Sequence, residues 1–225
     1  MRVLVIDTAL DACTAAVFED AGTPDMRALG VRSEIMARGH SERLGGFVRD
    51  AVAQAGGGFE ALDRIGVTVG PGSFTGLRVG LAFAQGLGAA LGLPVVGVST
   101  LEALARSADA GQGATAAVID ARRGQVYLQL FQDGRPASEA EALSIEDAGM
   151  KLADAGRSWR ITGSGAALVG GSSEASTTPE PAALATLAVA HDPGTHPPRP
   201  LYLRAPDATP PTRLPGQARP AVSSA

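Results

Sequence analysis

Glycine recurs with helical spacing late in the first half of the chain. Gly76, Gly80, Ala84, Gly88 and Gly92 fall every four residues, one smooth ridge along a helix of about 73–91. Each interior glycine costs about 1 kcal/mol relative to alanine. Four on one stripe therefore require another element's close approach. Phe74, Leu77, Leu81, Phe83, Leu87 and Leu91 spread apolar groups over the other faces, so the helix is expected to be buried on more than one side. The neighbour can be a sheet, the preceding helix or another chain. The uncharged stretch 79–98 has the length of a bilayer span, but five glycines, Gln85 and Pro94 interrupt it. It reads as a Gly/Ala helix followed by the short strand 95–98, and no membrane association is expected.

Around that helix the order of elements is strand, strand, strand, helix, strand, helix, strand, helix. Val3–Ile6 is an apolar run ending at Asp7-Thr8; strands at 14–18 and 26–31 follow, joined by the turn Gly22-Thr23-Pro24-Asp25. With Ser41 as its expected cap, the next helix presents Leu44, Phe47, Val48, Ala51, Val52 and Ala55, and Gly56-Gly57-Gly58 ends it. Strands 65–69 and 95–98 and a helix at 100–107 complete a first lobe, 1–107. Antiparallel hairpins followed by strand–helix alternation predict a mixed sheet with helices on its faces. After a polar join at 108–113, Ala116–Asp120 repeats the opening: an apolar strand, an Asp, a turn (Arg122-Arg123-Gly124) and a returning strand, 125–131. A helix at 145–155, a strand at 159–162, a loop at 170–181 and an Ala-rich helix at 182–191 place the second, smaller lobe at 114–204. Residues 205–225, rich in Pro and Ala, read as a disordered tail. With 225 residues and aromatics at 4%, this α/β chain builds one bilobed domain or two small ones around Ala, Val and Leu.

Composition excludes several chemistries. One cysteine, Cys13, permits neither an intrachain disulfide nor a Cys-rich zinc site. The single lysine, Lys151, stands outside any P-loop pattern. His40, His191 and His196 lack metal-ligand spacing; His40 has Leu44 at i+4. No metal or cofactor is expected. Gly163-Ser164-Gly165 is not a nucleophile elbow. Gly70-Pro71-Gly72-Ser73-Phe74-Thr75-Gly76 lies between strand and helix, but its spacing departs from the dinucleotide fingerprint. A net charge of −4 and a pI near 5.4 give no basic face for autonomous nucleic-acid binding. The start of the chain shows no signal-peptide pattern. Asp7, Thr8 and Asp120 remain as candidates: carboxylates and a hydroxyl at strand ends can hold Mg²⁺ and nucleotide phosphate, or simply satisfy turn backbone.

Taken together, Val5–Ala9, His40–Leu44, Val69–Gly80, Val96–Leu101, Ile119–Tyr127 and Pro200–Ala208 resemble the TsaB family, in family order and over nearly the whole chain. The run Gly70–Arg78 is the most specific of these. The resemblance implies an actin-like, Hsp70-like fold of two lobes, each a mixed sheet with flanking helices, in the cytoplasm. It implies a non-catalytic subunit that pairs with the catalytic paralogue TsaD and supports transfer of threonylcarbamoyl to the tRNA adenosine beside the anticodon. TsaC supplies the threonylcarbamoyl-adenylate, TsaE joins a larger complex, and tRNA is met only through that complex. TsaD holds a metal with H-x-x-x-H, and Leu44 stands here at the second His position. Pairing in the family uses the first two helices of lobe one, which implies an interface of Leu44, Phe47, Val48, Ala51, Phe74, Thr75, Gly76, Leu77, Gly80, Leu81, Ala84 and Gly88. The same ridge could serve a homodimer in isolation. The alternative is an ATP-dependent enzyme of the actin-like ATPase or sugar-kinase kind, with Asp7 and Asp120 on a nucleotide. A peptidase has no recognisable site in this sequence.

Overall fold

A computed structural model describes every residue except 23–25, 110–112, 155–157, 173 and 205–225. Residues 23–25 of the turn expected at 22–25, the centre of the expected join at 108–113 and the tail expected to be disordered lie outside the described residues.

The first sheet holds β1 (Arg2–Asp7), β2 (Ala12–Glu19), β3 (Arg27–Ile35), β4 (Arg64–Gly70) and β5 (Val95–Ser99), in the order β3-β2-β1-β4-β5. β1 pairs antiparallel with β2 and parallel with β4, and β4 runs parallel with β5. Both faces are covered, which is why β1 reads as an unbroken apolar run. Leu4 and Ile6 face α1 (His40–Ala55) and α2 (Phe74–Leu91), while Val3 and Val5 face the opposite layer. α2 begins at Ser73, whose side chain accepts the Gly76 N–H, as its sequence predicts. α1 differs. Its cap is Gly39 in a left-handed conformation, and the hydroxyl of Ser41, the expected cap, donates instead to the Glu42 carboxylate.

The second sheet joins β6 (Ala114–Arg122), β7 (Gln125–Gln132), β8 (Arg135–Pro136), β9 (Glu141–Ser144) and β10 (Arg160–Thr162). β8 and β9, short strands with little alternation, carry no clear sequence signal. The duplication expected from the two Asp-ended strands is present. β1 lies between an antiparallel hairpin partner, β2, and a parallel neighbour, β4; β6 lies likewise between β7 and β10. α4 (Ile145–Asp154) covers one face of this sheet through Ala148 and Leu152. α3 (Thr100–Asp109) covers the other through Leu101, Leu104 and Ala105, and its Ala103 turns back to the first lobe.

The last helix, α5 (Pro181–Ala190), packs on the first sheet, although its place in the sequence puts it after the second. Leu184, Ala185, Leu187 and Ala188 meet Val3, Val5, Ala16 and Phe18 there. Gly66 leaves room for Ala188, whose methyl a side chain at 66 would strike. The Arg64 guanidinium closes the helix end, donating to the carbonyls of Ala188 (2.9 Å), Val189 (3.1 Å) and His191 (2.9 Å). The chain then runs on as a strap. Gly97 N–H donates to His196 O, Leu201 N–H to Val69 O, and the Arg204 guanidinium reaches Ala121 O in the second lobe.

Candidate functional site

Between the lobes, at the ends of β1 and β6, lies a cleft of about 370 Å³. Ala9, Leu10 and Asp11 line it from the first lobe with Gly72 and Ser73; Asp120, Ala121, Arg122, Tyr127, Ser164 and Thr177 line it from the second. Asp120 accepts the Arg122 N–H at 2.7 Å and pairs with that residue's guanidinium at 3.1 Å. Its own N–H donates to Ser164 Oγ at 3.1 Å.

Asp7 and Thr8 stand behind this cleft, outside its lining. Asp7 is buried, and its Oδ1 accepts the Ala9 N–H at 2.9 Å and the Thr68 hydroxyl at 2.8 Å. Burial pushes its carboxyl above the ordinary 3.8, against the pull of those two donors and of nearby His40. The buried Thr8 hydroxyl donates to Gly76 O at 2.8 Å, and the Ser73 N–H donates to Ala9 O at 2.7 Å. Turn 8–11 is thereby fastened to the start of α2. Of the three nucleotide candidates, only Asp120 faces the cleft. Two of the cleft's hydroxyls, Ser164 and Thr177, come from loops whose sequence carries no motif that assigns them to a site.

The glycine ridge has a definite neighbour. A Cβ at Gly76 would strike the Thr8 carbonyl, one at Gly80 the Thr8 side chain, and one at Gly88 the Val95 side chain. From Gly76 to Gly88 the ridge is the face by which α2 lies on β1, β4 and β5, whereas Gly92, expected to continue it, is the left-handed cap beyond the helix, where a Cβ would meet nothing within 4 Å. Leu77, Leu81 and Ala84, like Leu44, Phe47, Val48 and Ala51 of α1, are buried in the same core. The expectation of a partner-facing ridge is therefore corrected: of those twelve residues, only Phe74 and Thr75 are exposed. The reason is geometric, because the i, i+4 stripe that admits a partner helix equally admits the protein's own sheet.

The outward face of the pair has a different character. Arg49, Ala82, Gly86 and Ala90 are exposed there, with Val79, Phe83 and Leu87 half-buried. A Cβ at Gly46 or Gly86 would meet nothing within 4 Å, and one at Gly45 would only touch the Phe83 ring at 3.7 Å. At the start of α2, Phe74 is 51% exposed. The Arg78 guanidinium lies 3.8 Å above its ring, and the Tyr202 ring stands 5.6 Å away. Among the described residues α2 is the one helix long and apolar enough to cross a membrane; here its glycine stripe lies on the sheet. Gly86, off the four-residue stripe, is the sequence signal for the outward face.

Residues 21–155 match the family model for TsaD, described as tRNA N6-adenosine threonylcarbamoyltransferase. The Escherichia coli tRNA threonylcarbamoyladenosine biosynthesis protein TsaB is 40% identical over 134 residues, 59% of this chain and 55% of that protein, so the match spans about half of its length. An uncharacterized protein of Mycobacterium tuberculosis H37Rv is 42% identical over 213 residues, covering 92% of this chain and 94% of its own. Among solved structures, YeaZ from Pseudomonas aeruginosa superposes with a TM-score of 0.72 at 32% identity, over 90% of this chain and 99% of that one.

Proposed function

The chain belongs to the TsaB family of tRNA threonylcarbamoyladenosine biosynthesis proteins, with an actin-like fold, and from that premise we propose that it is a non-catalytic subunit that docks on TsaD. In this reading it holds TsaD competent to transfer threonylcarbamoyl to tRNA, in the cytoplasm, with TsaE joining a larger assembly. The contact is made by the outward face of α1 and α2, with Phe74 and Thr75 at one end. One observation carries this. Gly46 and Gly86 stand in helix interiors where a side chain would meet nothing, at about 1 kcal/mol each relative to alanine. Nothing among the described residues rewards that cost, whereas a partner helix seated against Gly45, Gly46, Ala82 and Gly86 does. Half-buried Val79, Phe83 and Leu87 supply apolar area for such a contact.

The test is the mass, by light scattering across a sizing column, of the purified chain mixed with TsaD from the same source. A one-to-one complex is the expected result. If the two elute apart, the pairing reading fails. The open cleft, with Asp11, Asp120, Ser164 and Thr177 on its walls, favours one second reading, a nucleotide-dependent enzyme. ATP hydrolysis by the chain alone, abolished by Asp120→Ala, would establish that reading.

A further inference from the structure

The strap that follows α5 begins with two histidines, His191 and His196. Their rings stack with centroids 3.9 Å apart and planes 17° apart. Between them Asp192 Oδ1 accepts the N–H groups of Gly194 (2.8 Å) and Thr195 (3.2 Å), a turn that brings the second ring back over the first. His196 is exposed, and its Nδ1 pairs with the Thr195 hydroxyl at 3.0 Å. His191 is enclosed. Its side chain is 12% exposed, and its Nε2 pairs with Glu102 Oε1 of α3 at 3.2 Å. Its buried Nδ1 has no hydrogen-bond partner among the described residues. The His196 carbonyl accepts the Gly97 N–H at 2.8 Å, so the stack fastens the strap over β5, the end strand of the first sheet.

The surroundings of the stack limit how many protons it can hold. The Glu102 carboxylate accepts from Nε2–H of neutral His191, so a second proton has to go on Nδ1. There it would be a buried N–H without an acceptor, which is costly. Arg64 of β4 brings a fixed positive charge, because its guanidinium donates to His191 O at 2.9 Å. A protonated His196 would add another at the stacking distance. Glu102 works the other way and favours the proton. Asp192 is exposed and committed to its turn, and Arg106 follows Glu102 by one turn of α3. Two positive neighbours and an unpaired N–H thus stand against one enclosed carboxylate. Opening the strap separates the rings and lets water reach Nδ1.

We propose that His191, His196 and Glu102 form a pH-sensitive clasp, closed over the edge of the first sheet at neutral pH and opened by acid. The closed clasp holds one proton fewer than the open one, so a falling pH favours opening.

The test is amide hydrogen exchange of the full chain at about pH 7.5 and about pH 5.5, on either side of the ordinary imidazole range. Protection factors are read at Gly97, under the strap, and at Val5, in the middle of the sheet. Nuclear magnetic resonance follows the two imidazole rings over the same interval. Protection at Gly97 should fall about ten-fold at the lower pH, in step with the His191 ring signal, while Val5 keeps its own. His196→Gln removes one stacked ring and its charge, and should flatten the Gly97 profile. His196 is exposed, so that variant leaves the core intact. His191→Gln keeps an N–H for Glu102 without a titrating ring, and should flatten the profile as well. Equal protection of Gly97 at both pH values, or an unaltered profile in either variant, overturns the proposal. An equal fall at Val5 does so too, because it reports unfolding of the whole chain. The chain is tested alone, so TsaD pairing has no part in the outcome.

Discussion

Gly80 and Gly86 stand six residues apart on α2 and face opposite surroundings. Gly80 lies against Thr8 and Val67, at a point where the helix touches the sheet and no Cβ has room. Gly86 faces outward, and a Cβ there would meet nothing within 4 Å. The inner glycine is explained by the monomer and the outer one is not. A small residue thus marks a close contact only after the space around it is known, and a helix can be glycine-rich on two faces for two reasons.

The largest test of this contrast is Gly80→Leu. Four added carbons have no room between α2 and β1, and overpacking of that kind costs about 3 kcal/mol or more. Loss of the cooperative melt, or a midpoint lower by at least ten degrees, is expected in circular dichroism. A variant that melts like wild type would show that the helix–sheet spacing is not fixed by Gly80. Gly86→Leu should do the reverse. Its melting midpoint should hold or rise, while association with TsaD falls at least a hundred-fold in calorimetry, the effect of forcing two helices apart at a packed contact. Unchanged affinity would remove the outward face from the interface.

A third test probes the carboxylate beneath the inner face. Burial raises the Asp7 carboxyl above its ordinary 3.8, so protonation favours the folded state and ionisation works against it. That contribution is fully present below pH 3.8 and is lost as the pH rises through the raised folded value. Asp7→Asn keeps an oxygen to accept the Ala9 N–H and the Thr68 hydroxyl. It should therefore raise the melting midpoint at pH 7, with the gain shrinking as the pH falls toward 3.8. A midpoint below wild type at pH 7 would mean that the two hydrogen bonds to the ionised oxygen outweigh its desolvation.

The smallest effect is the most discriminating. Gly46→Ala should stabilise the free monomer by about 1 kcal/mol, because the backbone is helical and the space is open. Gly88→Ala should destabilise it, because the new methyl meets Val95. Chemical denaturation of the two variants side by side reads the sign directly. The same sign for both would erase the distinction between the faces.

Much of this molecule is legible in its residues. The Val3–Ile6 run announces a strand buried on both sides, Ser73 announces the start of α2, and the two Asp-ended strands announce a repeated unit. What is not legible is destination. An i, i+4 glycine stripe has the same pattern whether it meets a sheet or a second chain. Asp7 and Asp120 look equivalent in sequence, yet one is sealed beneath a turn by Thr68 and the other faces the cleft, because depth depends on the neighbouring loop. α5 is apolar nearly all round, so its composition says that it is buried without saying against which sheet.

The return of α5 to the first sheet also bears on how the chain is made. β5 ends at Ser99 and α5 begins at Pro181, so about 80 residues separate the last strand of the first sheet from the helix that covers it. At synthesis rates of about 5–20 residues per second, that delay is roughly 4–16 s. Throughout it, the face formed by Val3, Val5, Ala16 and Phe18 waits without its lid while the nascent chain emerges. The first lobe, first to be translated, is thus among the last parts to be completed, and its uncovered sheet is the surface that a ribosome-bound chaperone would meet.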